Sequence, residues 1–266
     1  MDANYIQNFI VVELWNRFSI EWKNVYRDVN ILVGINGSGK TTLLNLMYEY
    51  YTLQKIKKSI ATGVSGTEIN VPITYIHSFD VPASGKKKTE SQLLQQLKGI
   101  INQNDKGTSF FDYRMRIVNY PEQKELVQRR LAYFFEVVDK MFQDTGKHIC
   151  YDREKNTLAF QINDIRMRYE RPKLISLDEL SSGEKQLLLI LTTVFLQEEK
   201  PNVLLMDEPE VSLHISWQDQ LISRIRELNP NCQLILTTHS PNIFADGWED
   251  KLVFMDDITY KFHDES

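Results

Sequence analysis

The segment Gly34-Ile35-Asn36-Gly37-Ser38-Gly39-Lys40-Thr41 restricts this chain more than any other. Two glycines five apart stand ahead of Lys and Thr, after the apolar run VNILV and before the helical pattern TTLLNLMYEYYTLQ. Strand, glycine turn and helix in that order form a phosphate-binding loop. Glycines let the backbone curl so that successive N–H groups point at phosphate oxygens, with the positive end of the following helix behind them. In such a loop Lys40 reaches the β- and γ-phosphates, and the Thr41 hydroxyl can ligate Mg²⁺.

The remaining pattern says what such a loop is built into. FIVVEL and FSIEW read as strands before the loop, and VPITYIHSF as a strand after its helix. Residues 81 to about 112 turn polar, with one short helical pattern at SQLLQQLKGII. A longer helix follows over about Pro121–Gln143, and then a hairpin-like stretch from His148 to Tyr169. From Leu174 onward a buried helix (Glu184–Gln197), the strand NVLLM, a helix from about Ser216 to Leu228 and the strand QLILTT alternate. Such alternation predicts an α/β fold with a mostly parallel central sheet. The expected organisation is a nucleotide-binding core at 1–80 and 173–266, with an N-terminal antiparallel β portion, and an inserted, mainly helical lobe at 81–172.

Two further segments carry chemistry. Val203–Met206 is an apolar strand ending in Asp207 and Glu208, which delivers carboxylates to the sheet edge where α/β proteins bind ligands. Asp207 suits Mg²⁺, and Glu208 suits a water to be polarised; alone, the pair would also read as acids at a helix N-terminus. Leu180-Ser181-Ser182-Gly183-Glu184-Lys185-Gln186 alone reads as a helix N-cap.

With the P-loop upstream and the aspartate strand just downstream, the chain resembles the ABC-type ATPases. Their signature, LSGGQ in many members, looks like LSSGE here. Pro209-Glu210-Val211-Ser212-Leu213-His214 stands in the place of the D-loop, and Thr237-Thr238-His239-Ser240-Pro241 ends the next strand as the switch histidine does. The resemblance covers about residues 30–48 and 178–241. It implies ATP and Mg²⁺ as the bound species. Gly34, Asn36, Gly37, Ser38, Gly39, Lys40, Thr41 and Thr42 are implied to hold ATP, and Thr41 and Asp207 the metal. Lys40, Glu208 and His239 are the implied catalytic groups. Ser181, Ser182 and Gly183 are implied to close over the γ-phosphate bound by a second copy, in a head-to-tail dimer or a higher oligomer built on it. The family's glutamine after the P-loop helix has no firm counterpart: Ser78–Asp80 replace it, or it lies elsewhere. For adenine stacking Arg17 and Phe18 are candidates, with core packing the alternative for Phe18.

EPEVSLH and TTHSP resemble the soluble RecF- and OLD-like (AAA_21-type) branch more than transporter cassettes, and are similar to the ATPases of anti-phage defence systems such as PARIS. That implies control of a separate effector, a nuclease or toxin. A RecF-like repair ATPase binding DNA through Lys55, Lys57, Lys58 and Lys86–Lys88 is the first alternative, and the nucleotide-binding subunit of a transporter the second. The longest strongly apolar stretch, Leu187–Leu196, is far short of the roughly 20 residues that span a bilayer. No membrane insertion is expected. Cys150 and Cys232 match no metal spacing and read as reduced thiols, and the N-terminus lacks a basic leader. A cytoplasmic location is the expectation.

Overall fold

The computed structural model describes residues 3–77, 90–104, 107–162 and 174–261. In chain order its elements are β1 (Phe9–Leu14), β2 (Phe18–Trp22), β3 (Val29–Val33), α1 (Lys40–Tyr51), β4 (Gly63–Gly66), β5 (Ile73–Ile76), α2 (Gln92–Ile101), α3 (Phe110–Asn119) and α4 (Lys124–Phe142). Then come β6 (Lys147–Asp152), β7 (Thr157–Ile162), β8 (Leu174–Ile175), α5 (Ser182–Phe195), β9 (Asn202–Asp207), α6 (Ile215–Leu228), β10 (Cys232–Thr237), β11 (Leu252–Phe254), α7 (Met255–Ile258) and β12 (Thr259–Lys261). The chain divides into two compact units, one of residues 1–78, 199–211 and 229–266, the other of 79–198 and 212–228.

The first unit holds a five-stranded sheet in the order β11-β3-β10-β9-β5, parallel at every pairing, and a four-stranded sheet β12-β2-β1-β4, antiparallel at every pairing. The apolar runs read as buried strands are buried: every residue of β9 and β10 is inside, as parallel strands covered on both faces require. Leu43, Leu44, Leu46 and Met47 of α1 share one core with Leu32, Val203, Leu205 and Ile235 from the parallel sheet and Phe9, Val11 and Ile20 from the antiparallel one. Register fixes what matters for function. Thr237 of β10 sits opposite Leu32 of β3 on one side and Asp207 of β9 on the other. The carboxyl ends of three adjacent strands therefore lie in one row, and each feeds directly into a chemistry-bearing loop.

The second unit contains the insertion together with the signature helix α5 and α6. Rings fill its centre: Phe134 meets Phe195 at 4.6 Å and Phe110 at 5.7 Å, and Phe142 stacks on Phe160 at 4.7 Å. The Trp217 ring of α6 lies 5.7 Å from Phe142, and its N–H donates to the Met141 carbonyl at 2.6 Å, so the large apolar body is buried with its polar tip satisfied. Helix α3, unannounced by the sequence pattern, starts with a capping box between Ser109 and Asp112. Its buried Phe110 and Tyr113 face the same aromatic centre.

Candidate functional site

The loop after β3 is built to leave its amides available. Gly39, the residue before α1, has φ +97°, a left-handed conformation that side-chain-bearing residues rarely adopt. No side chain caps α1 and no acid occupies its first turn, so its leading N–H groups and positive end are not neutralised locally. The Ser38 hydroxyl, buried beside Gly34, has no hydrogen-bond partner among the described residues. Lys40 is 5% exposed, and its ammonium donates to the loop's own Gly34 and Ile35 carbonyls at 2.9 and 3.3 Å. Burial lowers the Lys40 pKa, while the nearby carboxylates of Glu208, Asp207 and Glu210 pull it back up.

The row of strand ends brings the next groups together. The Thr41 hydroxyl donates to Asp207 Oδ1 at 3.0 Å, and the Thr237 hydroxyl donates to the same oxygen at 2.6 Å. Thr41 and Asp207 thus offer two hard oxygen donors side by side, the ligand type that Mg²⁺ takes. Glu208 follows with φ +44°, and its N–H is shared between the Thr237 carbonyl (3.2 Å) and hydroxyl (3.1 Å). His239 Nε2 stands 3.6 Å from Glu208 Oε1. An open cleft of about 650 Å³ is lined by Trp15, Asn36, Gly37, Gly39, Lys40, Thr41, Thr42, Glu208 and His239, all from the first unit.

Three residues that sequence reasoning passed over belong to this picture. Glu210, 8% exposed, accepts the Thr238 hydroxyl at 2.6 Å and the His239 N–H at 2.8 Å through Oε1, and so holds the backbone that presents His239. Trp15 lines the cleft, whereas Arg17 and Phe18 do not; Phe18 packs on the core and meets the Trp15 ring edge-on at 5.9 Å. A run of positive φ at Glu13, Trp15 and Asn16 turns Trp15 to that position, a signal that only coordinates carry. His77 comes one residue after Ile76, which pairs with Met206 just before Asp207. Burial lowers the His77 pKa and the Asp207 carboxylate opposes the shift, so the imidazole sits within reach of that charge. Ser78–Asp80 and Lys86–Lys88 lie outside the described residues.

Ser181, Ser182 and Gly183 belong to the second unit. Ser181 caps α5: its hydroxyl accepts the Glu184 N–H at 3.2 Å, and Glu184 Oε2 accepts the Ser181 N–H at 2.8 Å. Gly183 is required by close approach, because a Cβ there would lie 2.3 Å from the Ser212 carbonyl oxygen.

A parallel sheet flanked by an antiparallel one, with a glycine loop, an Asp-Glu strand end and His239 at adjacent strand ends, is the fold of an ABC-type P-loop ATPase head. The SMC head solved with the C-terminal winged-helix domain of ScpA superimposes with a TM-score of 0.57 over 91% of each chain at 13% identity. The family model described as "AAA domain, putative AbiEii toxin, Type IV TA system" (AAA_21) matches residues 79–246, and the chain belongs to this family. It is similar to the retron Vc95 probable ATPase of Vibrio cholerae serotype O1 biovar El Tor, 29% identical over 183 residues, 65% of this chain and 30% of that protein. It is also similar to the retron Ec83 probable ATPase of Escherichia coli, 35% identical over 80 residues, 26% of this chain and 15% of that protein. The chain therefore spans under a third of these relatives' lengths. Among the described residues no helix is long and apolar enough to cross a membrane.

Proposed function

We propose that the chain hydrolyses ATP between two head-to-tail copies and that this cycle controls a separate effector protein of the nuclease or toxin class. The observation that carries the reading is the row Leu32–Thr237–Asp207, which gathers Lys40, Thr41, Asp207, Glu208 and His239 around one cleft. Gly34, Asn36, Gly37, Ser38, Gly39, Lys40, Thr41 and Thr42 cradle the phosphates with backbone N–H groups and the Lys40 ammonium. Thr41 and Asp207 would hold Mg²⁺, which when bound would supply neutralisation of phosphate charge. Glu208 orients and polarises the attacking water, His239 contacts the γ-phosphate, and Glu210 keeps His239 in place. Trp15 offers its ring to the adenine, and His77 stands where the family's glutamine would. These groups position reactants and stabilise charge and form no covalent intermediate.

The second copy supplies Ser181, Ser182 and Gly183. Ile35 beside the loop is 78% exposed and Val211 of the D-loop 52%, apolar surface suited to burial against another subunit. We keep residues 1–80 and 173–266 as the nucleotide-handling core and 81–172 as the lobe that receives the effector. The toxin and toxin–antitoxin wording of the family description and the likeness to retron ATPases support an effector of this kind. Loss of the γ-phosphate removes the bridge between subunits, and the dimer loosens.

The test uses Glu208→Gln, expected to cut turnover about 100-fold or more while leaving ATP bound. Sedimentation of this variant with ATP and Mg²⁺ should show a stable dimer, and a persistent monomer at saturating ATP sinks the two-subunit site. Purified from its native operon with ATP, it should carry a stoichiometric soluble partner. A permease or DNA in that position transfers the function to transport or repair.

A further inference from the structure

One ion pair in the second unit joins the inserted lobe to the signature motif. Lys147, the first residue of β6, sends Nζ to Glu184 Oε1 at 2.5 Å; the two side chains are 17% and 5% exposed. The other oxygen of the same carboxylate holds the Ser181 N–H. Burial alone would raise the Glu184 pKa, but Lys147 and the Ser181 backbone outweigh it and keep the carboxyl below its ordinary value. A buried carboxylate stripped of its cation would be strongly penalised, so the Lys147 contact and the capping geometry stand or fall together.

The connection continues in both directions. Gly146, in a left-handed conformation at φ +65°, carries the chain from the end of the 19-residue helix α4 straight into Lys147. Three residues before Lys147, Asp144 lies 3.4 Å from the Ser216 hydroxyl, which in turn is 2.9 Å from His214 Nδ1. The Ser212 carbonyl presses on Gly183. The turn 143–147 therefore braces the signature on one side and the end of the D-loop on the other.

We propose that Lys147 is a positioning residue for the signature serine, setting Ser181 through Glu184 for the nucleotide of the partner subunit. The proposal rests on the two-subunit site above and deepens it. Lys147 touches no nucleotide. It fixes the direction of the Ser181 hydroxyl, whose oxygen accepts the Glu184 N–H and which also hydrogen-bonds the Glu184 carboxylate, the contact an incoming phosphate would take over. A binder that moves the end of α4 consequently changes turnover in the neighbouring site and leaves ATP affinity in its own untouched.

Lys147→Met in the full chain should lower kcat about tenfold, the loss of one buried charged hydrogen bond, with ATP affinity at subunit concentrations below dimerisation held within about twofold. Lys147→Arg, which keeps the charge, should recover at least half of kcat. Mixing gives the readout that a merely structural defect would not. Lys147→Met and Lys40→Ala are each expected to be poor alone, but their mixed dimer pairs an intact P-loop with an intact signature, and activity should return. Glu184→Gln, still a capping-box residue, carries the same expectation with a loss of about threefold if Lys147→Met melts early. Unchanged kcat in Lys147→Met, or no recovery in mixed dimers shown to form, overturns the role of Lys147 alone. A Glu208→Gln chain that stays monomeric with ATP removes the shared site and this proposal with it.

Discussion

Lys40 and Ser181 both stand at the N-terminus of a buried helix, yet α1 and α5 begin in opposite ways. Helix α1 opens after a left-handed glycine, without a side-chain cap and without an acid in its first turn. Helix α5 opens inside a closed box, Ser181 and Glu184 each satisfying the other's N–H. The first leaves backbone donors and a positive end for an incoming anion, while the second has already met most of its needs internally. An uncapped helix end is a stability cost that a bound phosphate can offset. A capped end presents one hydroxyl in a fixed direction and little else. On the proposed two-subunit reading, the first end suits a binding half-site and the second a completing one.

Four measurements would break or sharpen that contrast. Lys40→Ala should show the largest change, weakening ATP binding by about 100-fold in a nucleotide titration, since a charge-assisted contact is lost at the open end. Gly183→Ala acts on the closed end. Its added methyl collides with the Ser212 carbonyl, and dimerisation in the Glu208→Gln background should weaken about 30-fold, with ATP affinity of the single subunit retained. If that substitution damages ATP binding instead, the division of labour is wrong. Glu210→Ala leaves the Thr238 hydroxyl and His239 N–H without their acceptor, so kcat should fall about tenfold and the melting temperature by a few degrees. Trp15→Ala should produce the smallest change, raising the Kd for ATP about fivefold while leaving that for inorganic triphosphate unaltered.

How much of this was legible beforehand follows from which interactions are local. The P-loop could be read because its glycines answer a conformational demand within eight residues, and Gly39 at φ +97° meets that demand. The strand ending in Asp207 could be read because parallel strands covered on both faces must be apolar throughout. Glu210 could not, since its partners Thr238 and His239 are 28 and 29 residues away and meet it only once β9 and β10 pair. Lys147 lies 37 residues from Glu184 and looks like any surface lysine until the hairpin folds against α5. Trp15 was hidden by an irregular turn between β1 and β2, where the β1–β2 register shifts between Val11 and Leu14. Of the strand expected over Val71–Phe79, the described residues form Ile73–Ile76, which pair with Val203–Met206 of β9, while Ser78 and Phe79 lie outside the described residues.

The backbone of Glu208 has a consequence that reaches past catalysis. A glutamate held at φ +44° occupies a conformation that glycine or asparagine would adopt with less strain. Natural drift toward a more comfortable residue there would make the fold sturdier while erasing the carboxylate proposed to polarise water, yet Lys40, Thr41 and Asp207 would remain intact. On the proposed mechanism, a descendant able to clasp nucleotide but unable to hydrolyse it is one substitution away and gives up no stability by that change. Within such a lineage, an acid at this strained position would be the mark that separates a working cycle from a permanent clamp.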